Sequence, residues 1–416
     1  MTKKIVVTGI GATSPLGGTA QSSWDALLAG KSGIRPIEAD WVAALDLPVT
    51  FAGQALVRPE EVLERVEYKR LDPSAQYALI SAREAWADAG FDGDSDIDPI
   101  RVGVDYSTGI GGLWTLLDAW DTLKEKGPRR VLPMTIPMLM PNAAAAAVSM
   151  AIPSRAFART DVSACASSTE AIANAYDHLQ QGLADVVLAG GTEAVVHPLP
   201  IAAFAAMQAL SKRNDDPATA SRPFDVTRDG FVLGEGAATI VMETEEHALA
   251  RGARIYAEVA GGSVTSDSYH ITAPDPEGNA AARAMKNALV QAGARPEDVN
   301  HVNAHATSTP VGDVAEYKSL LRVFGDHLPN IAVSATKAAT GHLLGGTGAL
   351  EAIFTILALH TRTAPPTINL TEQDPAIVLD VVTTARSLGD GPLLALSNSF
   401  GFGGHNAVAA FRSYDS

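Results

Sequence analysis

The sequence predicts an α/β protein built on a mainly parallel sheet, from two observations. Short apolar runs rich in Val and Ile recur along all 416 residues, and alanine-rich stretches with helical spacing lie between them. Hydrophobic residues make up 46% of the chain and charged residues 19%, the composition of an ordinary globular core rather than of a disordered chain.

The first strand is expected at Ile5 to Val7, where β-branched residues follow Lys3-Lys4 and run into Thr8-Gly9. A strand there, with no long apolar leader before it, leads to the expectation of no signal peptide and a cytoplasmic protein. Val102 to Tyr106, Asp185 to Ala189 and Ala238 to Met242 are the next apolar runs of strand length. Tyr256 to Val259, His301 to Asn303, Ile331 to Ser334, Leu393 to Leu396 and Ala407 to Phe411 complete the set. A first half is expected over 1–250 and a second over 251–416, because Gly252-Ala253-Arg254 precedes a fresh strand followed by glycines, as the first strand is followed by Gly9-Ile10-Gly11. Helices are expected at Thr169 to Gln180 and at Ala349 to His360.

A net charge of −16, from 31 basic and 47 acidic residues, argues against nucleic acid or an anionic membrane as a partner. No uncharged apolar stretch is long enough to span a bilayer. One cysteine excludes an internal disulfide, and it supplies none of the usual metal-ligand spacings with histidines about 37 residues apart.

That cysteine, Cys165, lies in Asp161-Val162-Ser163-Ala164-Cys165-Ala166-Ser167-Ser168, between a strand expected to end at Val162 and a helix. At such an elbow the helix N-terminal field favours a nucleophilic thiolate, and the residue's own N–H is free for an oxyanion. Three further segments carry chemistry-bearing residues. His305 follows a short strand and leads into Ala306-Thr307-Ser308-Thr309; His342 closes Ser334-Ala335-Thr336-Lys337-Ala338-Ala339-Thr340-Gly341; Phe400-Gly401-Phe402-Gly403-Gly404 is an aromatic-glycine loop suited to closing over a substrate. Gly345 to Gly348 lacks both the phosphate-loop lysine and the dinucleotide fingerprint.

Together and in this order the four segments resemble the elongating β-ketoacyl-[acyl-carrier-protein] synthases of the thiolase superfamily, a group that includes the ketosynthases of type II polyketide synthases. The likeness extends over nearly the whole chain, through Val6-Val7-Thr8-Gly9-Ile10-Gly11, Gly109-Ile110-Gly111-Gly112, Ala189-Gly190-Gly191-Thr192-Glu193 and Ser221-Arg222-Pro223-Phe224-Asp225. The Cys-His-His set separates it from degradative thiolases, which need a second cysteine, and from initiating synthases, which replace one histidine by asparagine.

The resemblance implies a five-layered αβαβα thiolase-like sandwich of two similar halves, dimerising near the Cys165 helix, and a decarboxylative Claisen condensation. Cys165 would carry the acyl chain, and His305 and His342 would donate to the malonyl thioester oxygen. The N–H groups of Cys165 and Phe402 would hold the second oxyanion. Lys337 would be the buried lysine and Glu316 its ion-pair partner. Thr307 and Thr309 would hold the phosphopantetheine arm, Phe402 would gate with Phe400 beside it, and Ile110 would line the acyl pocket. Lys69 and Arg70 fall where relatives place the dock for the acidic acyl carrier protein, with Lys124, Lys126, Arg129 and Arg130 as a second basic cluster. No cofactor and no metal is implied, since the substrates ride on the phosphopantetheine of the carrier protein. Ser168 and Ala338 depart from the glycine and serine common in relatives, which puts substrate range in question. Chain length would be set near Ile110, Trp114 and the dimer-facing Leu132 to Met140. Three readings follow: a fatty-acid elongation enzyme acting as a homodimer, the catalytic subunit of a type II polyketide system paired with a homologous cysteine-lacking chain-length subunit, or a non-catalytic subunit, which the presence of Cys165, His305 and His342 disfavours.

Overall fold

The computed structural model describes residues 3–91 and 97–414. Among the described residues eleven strands form one sheet: β1 Ile5–Thr13, β2 Val102–Ser107, β3 Phe157–Arg159, β4 Val186–Glu193, β5 Gly236–Thr244, β6 Ala257–Ser266, β7 His301–Asn303, β8 Ala332–Ser334, β9 Asp380–Val381, β10 Leu394–Gly401 and β11 His405–Ser413. Each of the nine expected runs is among them; the short edge strand β3 stands three residues before the strand end expected at Val162, and β9 is an addition. The helices that position the site are α1 Pro73–Asp88, α2 Leu113–Lys126, α3 Ala143–Ala151, α4 Ser167–Gln180, α5 Asn279–Gln291, α6 Pro310–Phe324 and α7 Thr347–His360.

The sheet order is β9-β8-β7-β10-β11-β6-β1-β5-β4-β2-β3. It is mixed rather than mainly parallel. β2–β3, β2–β4, β7–β8, β7–β10 and β8–β9 are parallel, whereas β4–β5, β5–β1, β1–β6, β6–β11 and β10–β11 are antiparallel. The connection from Gly401 to His405 is too short for a crossover, so β10 and β11 must run antiparallel. The order β3-β2-β4-β5-β1 of the first five strands recurs as β8-β7-β10-β11-β6, with the same pattern of parallel and antiparallel neighbours.

The repeat extends to the central helices. α4 and α7 are both 14 residues long, and each follows a three-residue 3-10 turn, Ala164–Ala166 and Leu344–Gly346. Ile172, Leu179, Leu350, Ile353 and Leu357 from this pair pack together between the two halves of the sheet, against Ile5, Val187 and Ile240 on one side and Ala395 and Phe411 on the other. α1 and α3 cover the far face of the first half around Val102, Val104 and Leu188. α5 and α6 cover the far face of the second around Val302, Val333 and Leu396. The layers are therefore α, β, α, β, α. Both faces being covered, every residue of β1, β4 and β5 is buried, which is why these strands read as continuous apolar runs. Among the described residues, no helix is long and apolar enough to cross a membrane.

Candidate active site

β3 ends at Arg159, so Val162 lies outside any strand, and the turn into α4 is made by strained backbone instead. Ala164 has φ +51°, a conformation costly for a residue with a Cβ. Ser167 holds it there: its hydroxyl donates to Ala164 O at 2.6 Å and accepts from Ser163 N at 3.0 Å. The turn presents Cys165 to a cavity of about 450 Å³ that also takes in Ile110, His305, His342, Phe400 and Phe402.

The expected pull towards a thiolate is present but is outweighed by burial. Burial pushes the Cys165 thiol up to about 11, against the opposing pull of the Phe402 N–H, the Lys337 charge and its own N–H. The sulfur is held among donors, yet removal from water outweighs them.

His305 and His342 stand edge to face with ring centroids 5.4 Å apart. Burial, reinforced by the Lys337 charge, holds both pKa values well below the ordinary histidine value, so both rings are neutral. His342 Nδ1 lies 2.9 Å from Thr347 Oγ1, while His342 Nε2 and His305 Nδ1 are buried without a partner among the described residues. Strain gathers here too: Ala306, Ser308 and Leu344 have φ of +26°, +70° and +45°.

The expected Lys337–Glu316 ion pair is replaced by a different one. Lys337 Nζ lies 2.7 Å from both oxygens of Glu351, and Thr336 Oγ1 donates to the same carboxylate at 3.1 Å. Glu316 is occupied elsewhere: it accepts the N–H of His305 at 2.9 Å, the N–H of Ala306 at 2.7 Å and Asn398 Nδ2 at 3.2 Å. It thus fixes the strained backbone that aims His305. Glu351, Asn398 and Thr347 were not singled out from the sequence. Glu351 had a signal, because it is the one carboxylate in the apolar run Ala349 to His360.

Thr307 and Thr309 meet hydroxyl to hydroxyl at 3.0 Å on the cavity wall. A chain of rings borders the site: Phe402–Phe204 at 6.4 Å, Phe204–Phe231 at 5.3 Å, Phe231–His342 at 5.5 Å and His305–Phe400 at 5.7 Å. Gly401 must be glycine, since a Cβ would lie 2.6 Å from Ser163 O and 3.0 Å from Cys165 N. Ser168 is buried away from the cavity, its hydroxyl accepting the Ala349 N–H at 2.9 Å and so joining α4 to α7; Ala338 is likewise buried outside it. Lys69 and Arg70 are exposed at the end of the helix Arg65–Arg70. Among the described residues no group of three or more His, Cys, Asp or Glu side chains is placed to hold a metal.

Residues 2–248 match the family model for the β-ketoacyl synthase N-terminal domain, and 256–371 that for the C-terminal domain. A relative from Synechocystis sp. named 3-oxoacyl-[acyl-carrier-protein] synthase 2 is 45% identical over 99% of this chain and 98% of its own length. One of the same name from Staphylococcus aureus strain N315 is 44% identical over 99% of both. A β-ketoacyl synthase structure from Burkholderia phymatum has TM-score 0.91 at 37% identity, covering 99% of this chain and all of the other. A type II polyketide ketosynthase in complex with its acyl-carrier protein has TM-score 0.91 at 32% identity, with both chains fully covered. A ketosynthase/chain length factor structure has the same TM-score at 30% identity, again with both chains fully covered.

Proposed function

The chain belongs to the β-ketoacyl synthase family, and from that premise we propose that it is a 3-oxoacyl-[acyl-carrier-protein] synthase that condenses an acyl group held on Cys165 with malonyl carrier protein, in the cytoplasm and in fatty-acid elongation. The observation that carries the reading is the pair of neutral histidines, each with an unpartnered ring nitrogen, in the cavity that holds a lone buried thiol.

In the first step the Cys165 sulfur attacks the acyl thioester, and its proton leaves with the carrier thiol. Malonyl carrier protein then enters past Thr307 and Thr309, with the phosphopantetheine arm against their hydroxyls. In the tautomer in which Thr347 donates to His342 Nδ1, Nε2 carries the proton and donates to the malonyl thioester oxygen beside His305. The carbon–carbon bond to the carboxylate breaks, carbon dioxide leaves, and the two imidazoles stabilise the enolate oxygen. Because both rings are neutral they donate without protonating the enolate carbon. That carbon attacks the acyl carbonyl, whose oxyanion meets the N–H groups of Cys165 and Phe402. Collapse expels the Cys165 thiolate, which takes up from solvent the one proton that the loss of carbon dioxide consumes. Lys337 acts at one remove, its charge adding to the burial that keeps the histidines neutral, while Glu351 balances it. The half 1–250 brings the nucleophile and 251–416 the two histidines. Lys69 and Arg70 offer a basic dock to an acidic carrier protein.

Intact-protein mass spectrometry with a panel of acyl carrier proteins tests this: an adduct on the wild type that is missing in Cys165→Ala supports it, and no adduct from any donor overturns it. A polyketide role with a homologous chain-length subunit is favoured by the two polyketide-type structural neighbours. Exposed Trp120, Leu132, Ile136 and Met140 suit a second chain in either case. A stoichiometric cysteine-lacking homologue on co-purification supports the heterodimer, and a single species supports the homodimer.

A further inference from the structure

Glu193 ends β4 and is fully buried, yet the chemistry above makes no use of it. Its carboxylate collects four donors. One oxygen accepts from Thr108 Oγ1 at 2.9 Å and Ile110 N at 3.2 Å; the other accepts from Gly109 N at 2.8 Å and Gly345 N at 3.0 Å. Thr108 Oγ1 in turn accepts from Gly111 N at 3.1 Å, so the whole turn 108–111 hangs on this one side chain. Gly109 and Ile110 form one wall of the cavity, and Leu344, next to Gly345, forms another. The two turns are in intimate contact: a Cβ on Gly345 would lie 2.1 Å from Gly109 N, and one on Gly109 would lie 2.7 Å from Glu193 Oε2.

The internal repeat says why an acid stands there. Glu193 ends β4 as Gly401 ends β10, and the 3-10 turn centred on Cys165 corresponds to the one centred on Gly345. At the Cys165 turn the strand end is a glycine, so the turn's N–H stays open towards the sulfur. At the Gly345 turn a carboxylate fills the equivalent place and takes that N–H. The second half-site has thus become a clamp that joins the two turns lining the acyl cavity.

We propose that Glu193 is a positioning residue that sets acyl-chain selectivity, by fixing the Ile110 wall of the cavity against the Leu344–Gly345 turn. This rests on the synthase reading. A carboxylate can accept from all four donors, whereas an amide cannot. In Glu193→Gln the amide oxygen serves Gly109 and Gly345, and its NH₂ then confronts the Ile110 N–H, donor against donor. Ile110 is released, and discrimination between acyl chains differing by a few methylenes falls by about tenfold. Thr108→Val keeps the shape, removes one donor to the carboxylate and frees Gly111 N; it changes selectivity in the same direction by less.

Alkylation of both variants separates positioning from general loosening, because water admitted by loosening would lower the Cys165 pKa in Glu193→Gln and Thr108→Val alike, whereas loss of the carboxylate charge lowers it in Glu193→Gln alone. Burial pushes Glu193 itself up to about 7, so it is ionised at the alkaline pH where Cys165 titrates, and its charge there adds to the burial that raises the Cys165 pKa; iodoacetamide alkylation of Glu193→Gln should therefore reach half-ionisation at lower pH than in the wild type. The test is competitive loading of Cys165 from acyl carrier proteins of graded length, read by intact mass, on wild type and both variants. Flattened chain-length profiles together with the alkylation shift support the proposal. Wild-type profiles in the folded variants overturn it while leaving the synthase reading intact. Failure of the wild type to load any acyl group removes both. Should Glu193→Gln not fold, Thr108→Val decides, and an unchanged profile there overturns the proposal.

Discussion

Lys337 Nζ stands 2.7 Å from both carboxylate oxygens of Glu351, and each side chain is only 1% exposed. An ion pair this deep gains its Coulomb energy only against a large desolvation cost, so its net worth as a pair is small while the cost of breaking it is large. Lys337→Ala or Glu351→Ala should each lose about 3–5 kcal/mol of stability, because each strands one buried charge. The apolar double variant Lys337→Met/Glu351→Leu should recover most of that loss in urea unfolding and still fail at malonyl decarboxylation. A double variant with normal rates would show that the pair serves folding alone.

The same lysine sets a pH dependence. A lowered histidine pKa means that the neutral ring persists to lower pH, so the decarboxylation rate should stay level from about pH 7.5 to below the free-histidine value near 6.5. Removing the charge of Lys337 in the double variant lets the histidines protonate at higher pH, shifting the acid limb upward. Residual rates of that variant will be low, so direct titration of the His305 and His342 ring carbons by NMR is the better measurement. An inflection at about 6.5 in the wild type would contradict the neutral-imidazole account.

Cys165 responds to the charge with opposite sign. Its thiol sits at about 11, and Lys337 pulls it down. Alkylation of the wild type should therefore climb through pH 9 without levelling, and Lys337→Met/Glu351→Leu should react more slowly at every pH. A plateau near pH 7 would mean a stable thiolate in the resting protein.

Gly401→Ala tests the second oxyanion site. The added Cβ meets Ser163 O and Cys165 N, so the strand end must move off the elbow and carry the Phe402 N–H with it. Losing one such donor costs about 2.7–4 kcal/mol of transition-state stabilisation, a fall of about 10²–10³ in kcat for condensation. Circular dichroism and thermal unfolding should show the fold retained.

How far the sequence foretold this site depends on the range of the interactions. The strands were legible because burial on both faces writes itself as continuous apolar runs, and the three side chains that meet in the cavity, Cys165, His305 and His342, were legible because each adjoins a turn between regular elements. The Lys337 partner was not: Glu316 and Glu351 are both acids within reach along the chain, and only the docking of α6 and α7 decides that Glu316 meets the backbone of His305 while Glu351 meets the ammonium. The weight of burial on the thiol is hidden from the sequence for a related reason. A helix N-terminus is visible in sequence, whereas the depth at which it is buried is a property of the packed layers. The positive φ of Ala164 left no trace either, since alanine carries no preference for that region.

Thr347 bears on one of the two histidines proposed to stabilise the enolate. It is the first residue of α7, and its hydroxyl is 2.9 Å from His342 Nδ1, with the opposite ring nitrogen unpartnered. A hydroxyl that donates to Nδ1 forces the proton onto Nε2, where a donor is required, and it also fixes the ring plane beside His305. Thr347→Val preserves the volume and removes both constraints, leaving a buried Nδ1 without a partner. Malonyl decarboxylation should fall by about 10²-fold, within the range for a misplaced acid–base or donor group, whereas acyl loading of Cys165, which precedes any need for the His342 donor, should fall far less. Thr347→Ser, which keeps the hydroxyl, should restore most of the rate. Equal losses in loading and decarboxylation, or no rescue by serine, would place Thr347 in the packing of α7 rather than in the aiming of His342.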